Sequence, residues 1–340
     1  MSRRIRWGAT YALALAGALI PIPSWLVERW YSLGIYPIIQ HVLTSASNLV
    51  PFPVFDVLWV TVAAAGAAVT YRCIRAAGWR AGGLRLAVLT TRTVAVAYLA
   101  FLGTWGLNYR RAPLIEKLAF DPARVTRAAA ARLGDDNAAT LNTLYARAHE
   151  SPASLPSLAA AFQDAVRSLG ATRSVVPGRP KPTLLGGYFH EVSVAGMTDP
   201  FFLETLIAPD LLDVERPFVI AHEWAHLAGY ADESEANFVA WLACRRGDAA
   251  ARYSAALALI GYARPGKALK DALDMGPRID LFAIGYRYSR TNETLRFAAR
   301  QGYDKYLKAN RVERGVESYD AVVQLILGTG LDQDGNPRFK

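Results

Sequence analysis

Cysteine is scarce in this chain of 340 residues, which contains only Cys73 and Cys244. Cys73 lies at one end of a long apolar run, and Cys244 lies in the more polar C-terminal part. We expect the two thiols on opposite sides of a membrane, where they cannot pair. The sequence therefore predicts a fold without a disulfide.

Lysine and acidic residues are also scarce in the first 111 residues. This segment has 11 arginines, no lysine and only Glu28 and Asp56 as acids, whereas the remaining 229 residues hold 27 basic and 27 acidic side chains. The excess charge behind the pI of 9.6 thus lies among apolar runs. Arginine in that setting marks membrane orientation, so we expect no nucleic-acid partner.

Three apolar runs predict transmembrane helices at about residues 7–27, 54–71 and 86–107. Each approaches the ~20 residues that cross a bilayer core. We therefore expect residues 1–111 to form a membrane domain that contacts the lipid bilayer. The first run could also be a cleaved signal peptide, but Pro21 and Pro23 favour an uncleaved anchor.

The arginines also predict an orientation. They cluster in the N-terminal tail and between the second and third runs, whereas residues 28–53 contain only Arg29, which Glu28 offsets. Because cytoplasmic loops are the basic ones, we expect a cytoplasmic N-terminus and a multi-pass protein whose residues after about 108 are extracytoplasmic.

Residues 112–340 are predicted to form one mainly α-helical domain. Helical patterns occupy 121–133 and 136–150, split by Gly134, and continue through 154–170, 293–310 and 316–330. The only strong β signal covers residues 183–208, after a Pro-rich joint at 175–182. The expected fold class is an α-rich, zincin-like metallopeptidase domain with a small β hairpin or sheet.

The stretch AHEWAHLAGYADESEANF, residues 221–238, carries the chemistry. Pro217 and Gly229 predict a helix over residues 217–228, in which His222 and His226 share one face and Glu223 lies beside them. Two imidazoles of this spacing are typical of a zinc peptidase. The carboxylate of Glu223 can then take a proton from a water molecule that the metal activates.

Three carboxylates compete for the place of third metal ligand. Asp232 suits the N-cap of a second helix, where backbone N–H groups occupy it. Glu233 then projects from the first turn towards the metal, and Glu235 points about 200° away around the same helix. We rank Glu233 ahead of Glu235 and Asp232. We expect Asn237 to orient one of the two histidines without binding the metal itself.

Two further roles stay open. Residues 191–206 are candidates for an edge strand along which an extended peptide could bind, or for a hairpin that only covers the core. A donor to the oxyanion of the reaction could come from any of four side chains. These are His190, Tyr230, Tyr286 and Tyr288.

The motif with its surroundings resembles a bacterial family of membrane-anchored, zinc-peptidase-like proteins, domain of unknown function 3810. The family core reads HE-x-AH-x-x-G-x-x-x-E-x-EANF. The likeness also covers YSLGIYPIIQ (31–40), FPVFDVLW (52–59), GLNYRRAPL (106–114) and YLKANRVERGVESYDAVVQLIL (306–327). The resemblance implies a metalloprotease without an assigned substrate, in the inner membrane of a bacterial cell.

These observations predict a membrane-anchored metallopeptidase with one Zn²⁺ ion, held by His222, His226 and Glu233, with Glu223 as general base. Its partner would be a peptide or protein substrate. Two alternatives remain: a zinc-binding membrane sensor or scaffold without catalysis, and a zinc hydrolase of a cell-wall amide. Glu223 favours catalysis, because a structural zinc site has no use for a base beside its ligands.

Overall fold

The computed structural model describes residues 3–262, 271–310 and 321–340, and in these residues the chain is mainly helical. The α-helices are α1 (Arg3–Leu19), α2 (Ser24–Leu26), α3 (Tyr36–Asn48), α4 (Val54–Thr104), α5 (Leu114–Lys117), α6 (Arg127–Glu150), α7 (Leu155–Ser168), α8 (Gly186–Val192), α9 (Arg216–Leu227), α10 (Glu233–Arg246), α11 (Ala249–Tyr262), α12 (Met275–Ser289), α13 (Glu293–Ala309) and α14 (Ala321–Gly328). A π-helix, Val27–Ile35, joins α2 to α3, and 3-10 helices occupy Gly106–Arg110 and Pro122–Arg124. The strands are β1 (Pro180–Pro182), β2 (Gly196–Thr198) and β3 (Thr205–Ile207).

Among the described residues, one or two elements could cross a membrane, not the three that the sequence predicted. Helix α4 is long and apolar enough, and the pair Ile5–Leu19 and Ser24–Asn48 qualifies only if its two bent halves count as one span. Helix α1 ends at Leu19, just before Pro21 and Pro23, because proline has no backbone N–H with which to continue the helical hydrogen bonds. The predicted runs at 54–71 and 86–107 both belong to the single element α4.

Helix α4 is interrupted at Gly78, whose φ of 70° and ψ of 175° are not helical. This φ favours glycine, because a β-carbon there strains the backbone. A β-carbon on Gly82 would lie 2.5 Å from the carbonyl oxygen of Cys73. Cys73 and Gly82 are nine positions apart, and in a straight helix that spacing corresponds to about 13 Å. Their close approach therefore shows that the chain folds back at this bend.

The sheet has the strand order β1-β3-β2 and therefore leaves β2 at an edge. Strand β1 pairs with β3 in parallel, and β2 pairs with β3 antiparallel, with Met197 opposite Leu206. Two strands fall within the predicted β region, but β1 lies in the Pro-rich joint and α8 was predicted as strand. Helix α8 forms because Phe189 and Val192, three positions apart, bury one face.

Two other helix predictions are corrected or limited. Helix α6 runs through Gly134 without a break, since Gly134 is buried against the rest of the fold. The helix predicted over 316–330 is described only from residue 321, where α14 begins, and its first five residues lie outside the described ranges.

The main hydrophobic core lies between the N-terminal segment and the later helices. It contains Tyr36, Phe55 and Trp105 together with Trp224 of α9 and Phe238 of α10. This cluster of buried residues therefore spans the predicted domain boundary at residues 111 and 112. Cys244 is buried in the same core, and both it and Cys73 are free thiols, so the expectation of a fold without a disulfide is confirmed.

Candidate metal centre

The centre is built at the elbow between α9 and α10. Pro217 lies in the first turn of α9, and Gly229 ends it with a φ of +83°, in the left-handed region that favours glycine. Asp232 is the N-cap of α10, where its carboxylate accepts hydrogen bonds from the backbone N–H groups of Ser234 and Glu235. The short connection brings the first turn of α10 against the last turns of α9.

His222, His226 and Glu233 meet at this elbow. The Nε2 atoms of the two histidines are 3.1 Å apart, and Oε2 of Glu233 lies 3.2 Å from Nε2 of His222 and 3.8 Å from Nε2 of His226. A tetrahedral zinc ion with bonds of about 2.0–2.1 Å separates its ligand atoms by ~3.3 Å. The three donors therefore have the spacing of ligands to one zinc ion, and no fourth His, Cys, Asp or Glu of the described residues joins the group.

The other two candidate ligands lie elsewhere. Asp232 is engaged as the N-cap, and Glu235 accepts a hydrogen bond from the backbone N–H of Leu114 on the far side of α10. Burial, together with the charge of Asp232, raises the pKa of Glu235 to about 7. The structure thus brings Glu233, rather than Glu235 or Asp232, to the two histidines.

The charges of the cluster favour a cation. Burial alone would raise the pKa of Glu233, but hydrogen bonds to His222 and His226 outweigh it and hold that pKa well below its usual range. Burial would lower the pKa of His226, but Glu233 outweighs it and raises the pKa to about 9. Without a metal, the cluster therefore keeps a carboxylate and a proton together, and a metal ion can take the place of the proton.

Glu223 is buried beside the histidines and is held by strand β2. The hydroxyl of Thr198 lies 2.9 Å from both Oε2 and the backbone oxygen of Glu223. A β-carbon on Gly196 would lie 2.7 Å from Oε1, so the strand approaches this carboxylate as closely as glycine allows. Burial raises the pKa of Glu223, as a general base near neutral pH requires.

Hydrogen bonds with neighbouring groups orient the side chains of His226 and Glu233. Nδ1 of His226 is 2.7 Å from the carbonyl oxygen of Tyr230, which directs Nε2 towards the cluster. The hydroxyl of Tyr303 on α13 donates a hydrogen bond to Oε1 of Glu233, the oxygen turned away from the histidines. Asn237 is buried one turn beyond Glu233 on α10, and its predicted role stays a prediction.

The C-terminal end of α9 is held by side chains from the N-terminal segment. Trp105 donates its indole N–H to the carbonyl oxygen of His226, and Tyr36 donates its hydroxyl to that of Leu227. The guanidinium of Arg111 donates to the carbonyl oxygen of Gly229. These donors bond carbonyl groups at and just after the C-terminal end of α9, where the helix itself supplies too few N–H partners, so the N-terminal segment stabilises α9.

We expect Tyr36→Phe to lower the free energy of unfolding by about 1–3 kcal/mol, because it leaves the buried carbonyl oxygen of Leu227 without its donor. Thermal unfolding of the full chain in detergent measures the effect. Tyr11→Phe is the matched control, since the hydroxyl of Tyr11 bonds Thr91 on the exposed surface. Equal stability of the two variants would contradict this role of Tyr36.

We expect Tyr303→Phe to weaken zinc binding by about 10–100-fold, the usual cost of losing a hydrogen bond that orients a ligand. Competition with a chromophoric chelator measures the affinity. Tyr286→Phe is the control, because Tyr286 is exposed on α12 and its hydroxyl meets Arg290 instead. An unchanged affinity for Tyr303→Phe would show that this hydroxyl does not position Glu233.

The side chains of the four candidate oxyanion donors make their described contacts away from the cluster. Nδ1 of His190 is 2.7 Å from Oδ2 of Asp210. The rings of Tyr230 and Tyr288 lie against the guanidinium groups of arginines, and Tyr286 is exposed. The contacts of Thr198 with Glu223 and of Tyr303 with Glu233 were not predicted, although Thr198 lies within the candidate edge strand 191–206. No local sequence pattern predicts these contacts, because each depends on the fold.

Fold and site together define a mainly helical chain with one or two candidate membrane spans and a buried cluster of two histidines and a glutamate. The chain belongs to the family described as protein of unknown function (DUF3810), whose model matches residues 31–327. No curated protein and no solved structure matches the chain. The family description states no activity.

Proposed function

We propose that this protein is a membrane-anchored, zinc-dependent metallopeptidase that hydrolyses peptide bonds. One observation carries the proposal: three ligand atoms with the spacing of a zinc site lie beside a buried glutamate that is not one of the three. A structural zinc site usually has four protein ligands, whereas a catalytic one has three and an open position.

A bound zinc ion would supply a Lewis acid that polarises the peptide carbonyl and lowers the pKa of water. Oε1 or Oε2 of Glu223 would take the proton from the attacking water molecule and pass it to the nitrogen of the leaving amine. The hydroxyl of Thr198 holds this carboxylate in place, and the raised pKa of Glu223 suits a group that must both accept and return a proton.

Strand β2 supports a peptide as the substrate. It is an edge strand, since β3 occupies one of its sides, and it passes directly over the carboxylate of Glu223. An extended peptide can add to such an edge through main-chain hydrogen bonds. A substrate bound along Gly196–Thr198 would therefore lie next to the catalytic base.

The arginine distribution supports an extracytoplasmic site in the bacterial inner membrane. Arg72, Arg75, Arg80 and Arg85 flank the bend of α4 at Gly78, and the N-terminal tail is basic as well. We therefore place both on the cytoplasmic side, with the metal centre on the opposite side.

Metal analysis and peptide digestion test the proposed function. The full chain in detergent is compared as purified, after removal of metal by a chelator, and after addition of zinc, and each form digests a peptide library that is read by mass spectrometry. We expect one zinc per chain and cleavage that disappears and returns with the metal. Bound zinc without cleavage of any peptide would favour a sensor or scaffold, or a hydrolase of a cell-wall amide.

A further inference from the structure

Helix α3 has its polar side turned inwards. Its buried polar side chains are Tyr36, Gln40, Thr44 and Ser47. Gln40 exchanges two hydrogen bonds with the backbone of Val176, and Thr44 donates to the carbonyl oxygen of Leu203. Side chains four apart thus fix this face of α3 to the C-terminal segment through hydrogen bonds.

The opposite side of α3, together with Ile35 before it and Leu49 after it, is exposed and mainly apolar, with His41 as an exposed polar residue among them. Ile35, Ile38, Val42 and Leu49 expose 56%, 49%, 57% and 84% of their surfaces, and Phe52 after the helix exposes 50%. Surface helices in water show the reverse arrangement, with apolar residues inwards and polar residues outwards. A mainly apolar face with polar residues at its border is typical of a surface that meets the boundary between an apolar phase and water.

The direction of the segment Ser24–Asn48 indicates that the apolar phase is the lipid at the membrane surface. Ser24–Asn48 is bent by 114° from Ile5–Leu19. If α1 runs along the membrane normal, Ser24–Asn48 lies within about 25° of the membrane plane. Trp25 and Trp30 are exposed near its start, and tryptophan is enriched at the boundary between lipid and water.

We propose that Ser24–Asn48 is a helix that lies in the plane of the membrane, at the lipid–water interface of the extracytoplasmic leaflet. Its apolar side chains Ile35, Ile38, Val42 and Leu49 then contact the lipid. Amphipathic helices lie in membranes in this way, with the apolar face in the acyl boundary. The occupant of this face is lipid, because the face continues directly from α1 and leads into α4, whose apolar side chains are also exposed.

This placement fixes where the metal centre lies. Tyr36 on the inner face of α3 bonds the carbonyl oxygen of Leu227, one residue after the ligand His226. The metal centre is therefore held close to the membrane surface. The substrates that can reach it there are peptide segments adjacent to a bilayer. The inference rests on the membrane anchoring in the proposed function and not on catalysis.

Depth-dependent fluorescence quenching tests the placement. The full chain carries Cys73→Ser, and single cysteines replace Ile38, Val42 or Leu49 for labelling with an environment-sensitive fluorophore; Cys244 is fully buried. The labelled chains are placed in nanodiscs whose lipids carry a nitroxide near the headgroup or near the end of the acyl chain. Val60→Cys on exposed α4 is the membrane control, and Ala139→Cys on the exposed face of α6 is the water control.

We expect labels at 38, 42 and 49 to be quenched at least two-fold more by the shallow nitroxide than by the deep one, with no quenching at 139. Quenching at 60 but not at 38, 42 and 49 would overturn the in-plane helix while leaving membrane anchoring intact. Stronger quenching by the deep nitroxide would indicate a re-entrant loop and also overturn it. No quenching at 60 would reject the membrane anchoring itself.

Discussion

Replacing Glu223 with glutamine is expected to lower peptide hydrolysis by about 10²–10⁴-fold, the usual contribution of a positioned general base. Glutamine has nearly the same shape and can accept the hydrogen bond from Thr198, but its amide cannot take a proton from water. The three ligand atoms are untouched, so zinc is expected to stay bound at one ion per chain. Initial rates on a cleaved library peptide, with the zinc content of each preparation, measure both effects.

Glu235→Gln is the matched control for this variant. Glu235 is also a buried glutamate of the same region, but its side chain accepts from Leu114 and does not face the cluster. Its activity is expected to remain within a few-fold of the wild type. If Glu223→Gln retained zinc and cleaved peptides as fast as Glu235→Gln, Glu223 would not be the base.

Replacing Glu233 with glutamine is expected to weaken zinc binding by more than about 100-fold. This loss is larger than the roughly 10–100-fold loss that is typical for a residue that only hydrogen-bonds to a metal ligand. The change removes the negative charge next to both imidazoles while it keeps the side-chain length. Zinc competition between the full chain and a chelator of known affinity gives the ratio. Peptide cleavage at low free zinc should fall together with occupancy.

Glu235→Gln again provides the contrast, since the two glutamates are two residues apart in the same helix. It is expected to keep the zinc affinity within a few-fold of the wild type. If Glu235→Gln lost zinc and Glu233→Gln kept it, the assignment of the third ligand would be wrong. If both variants kept zinc, the metal would be held by groups other than this carboxylate.

Helix periodicity was enough to predict the centre of the site. His226 follows His222 by four positions, which places them on one face of α9, and in the structure their Nε2 atoms are 3.1 Å apart. Gly229 and Asp232 predicted the end of one helix and the start of the next. With Asp232 as N-cap, the 200° between Glu233 and Glu235 decides which of them turns towards the histidines.

Long-range contacts could not be predicted from the same patterns. Tyr303 is 70 residues away from Glu233, and Thr198 reaches Glu223 from a three-residue strand. Apolar runs of suitable length also predicted three separate helices, whereas α4 contains two of these runs on either side of its bend and α1 ends before Pro21. Apolarity predicts contact with lipid, but the path of the chain depends on individual residues such as Gly78.

The N-terminal segment shows a further limit of sequence patterns. Its arginine and apolar content suggested an anchor separate from the C-terminal domain. In the structure, Tyr36, Trp105 and Arg111 hold the C-terminal end of α9 through hydrogen bonds. Such hydrogen bonds join residues more than 100 positions apart, so no local period predicts them.

Incorporation of labelled oxygen tests the central claim most directly. The zinc-loaded full chain in nanodiscs digests a peptide library in H₂¹⁸O, and mass spectrometry reads the new carboxyl termini. The proposed function predicts one ¹⁸O atom in each new carboxylate for the wild type, and at least about 100-fold slower product formation by Glu223→Gln at equal zinc content. Equal cleavage by the two proteins, or no cleavage of any peptide by the zinc-loaded wild type, would contradict it.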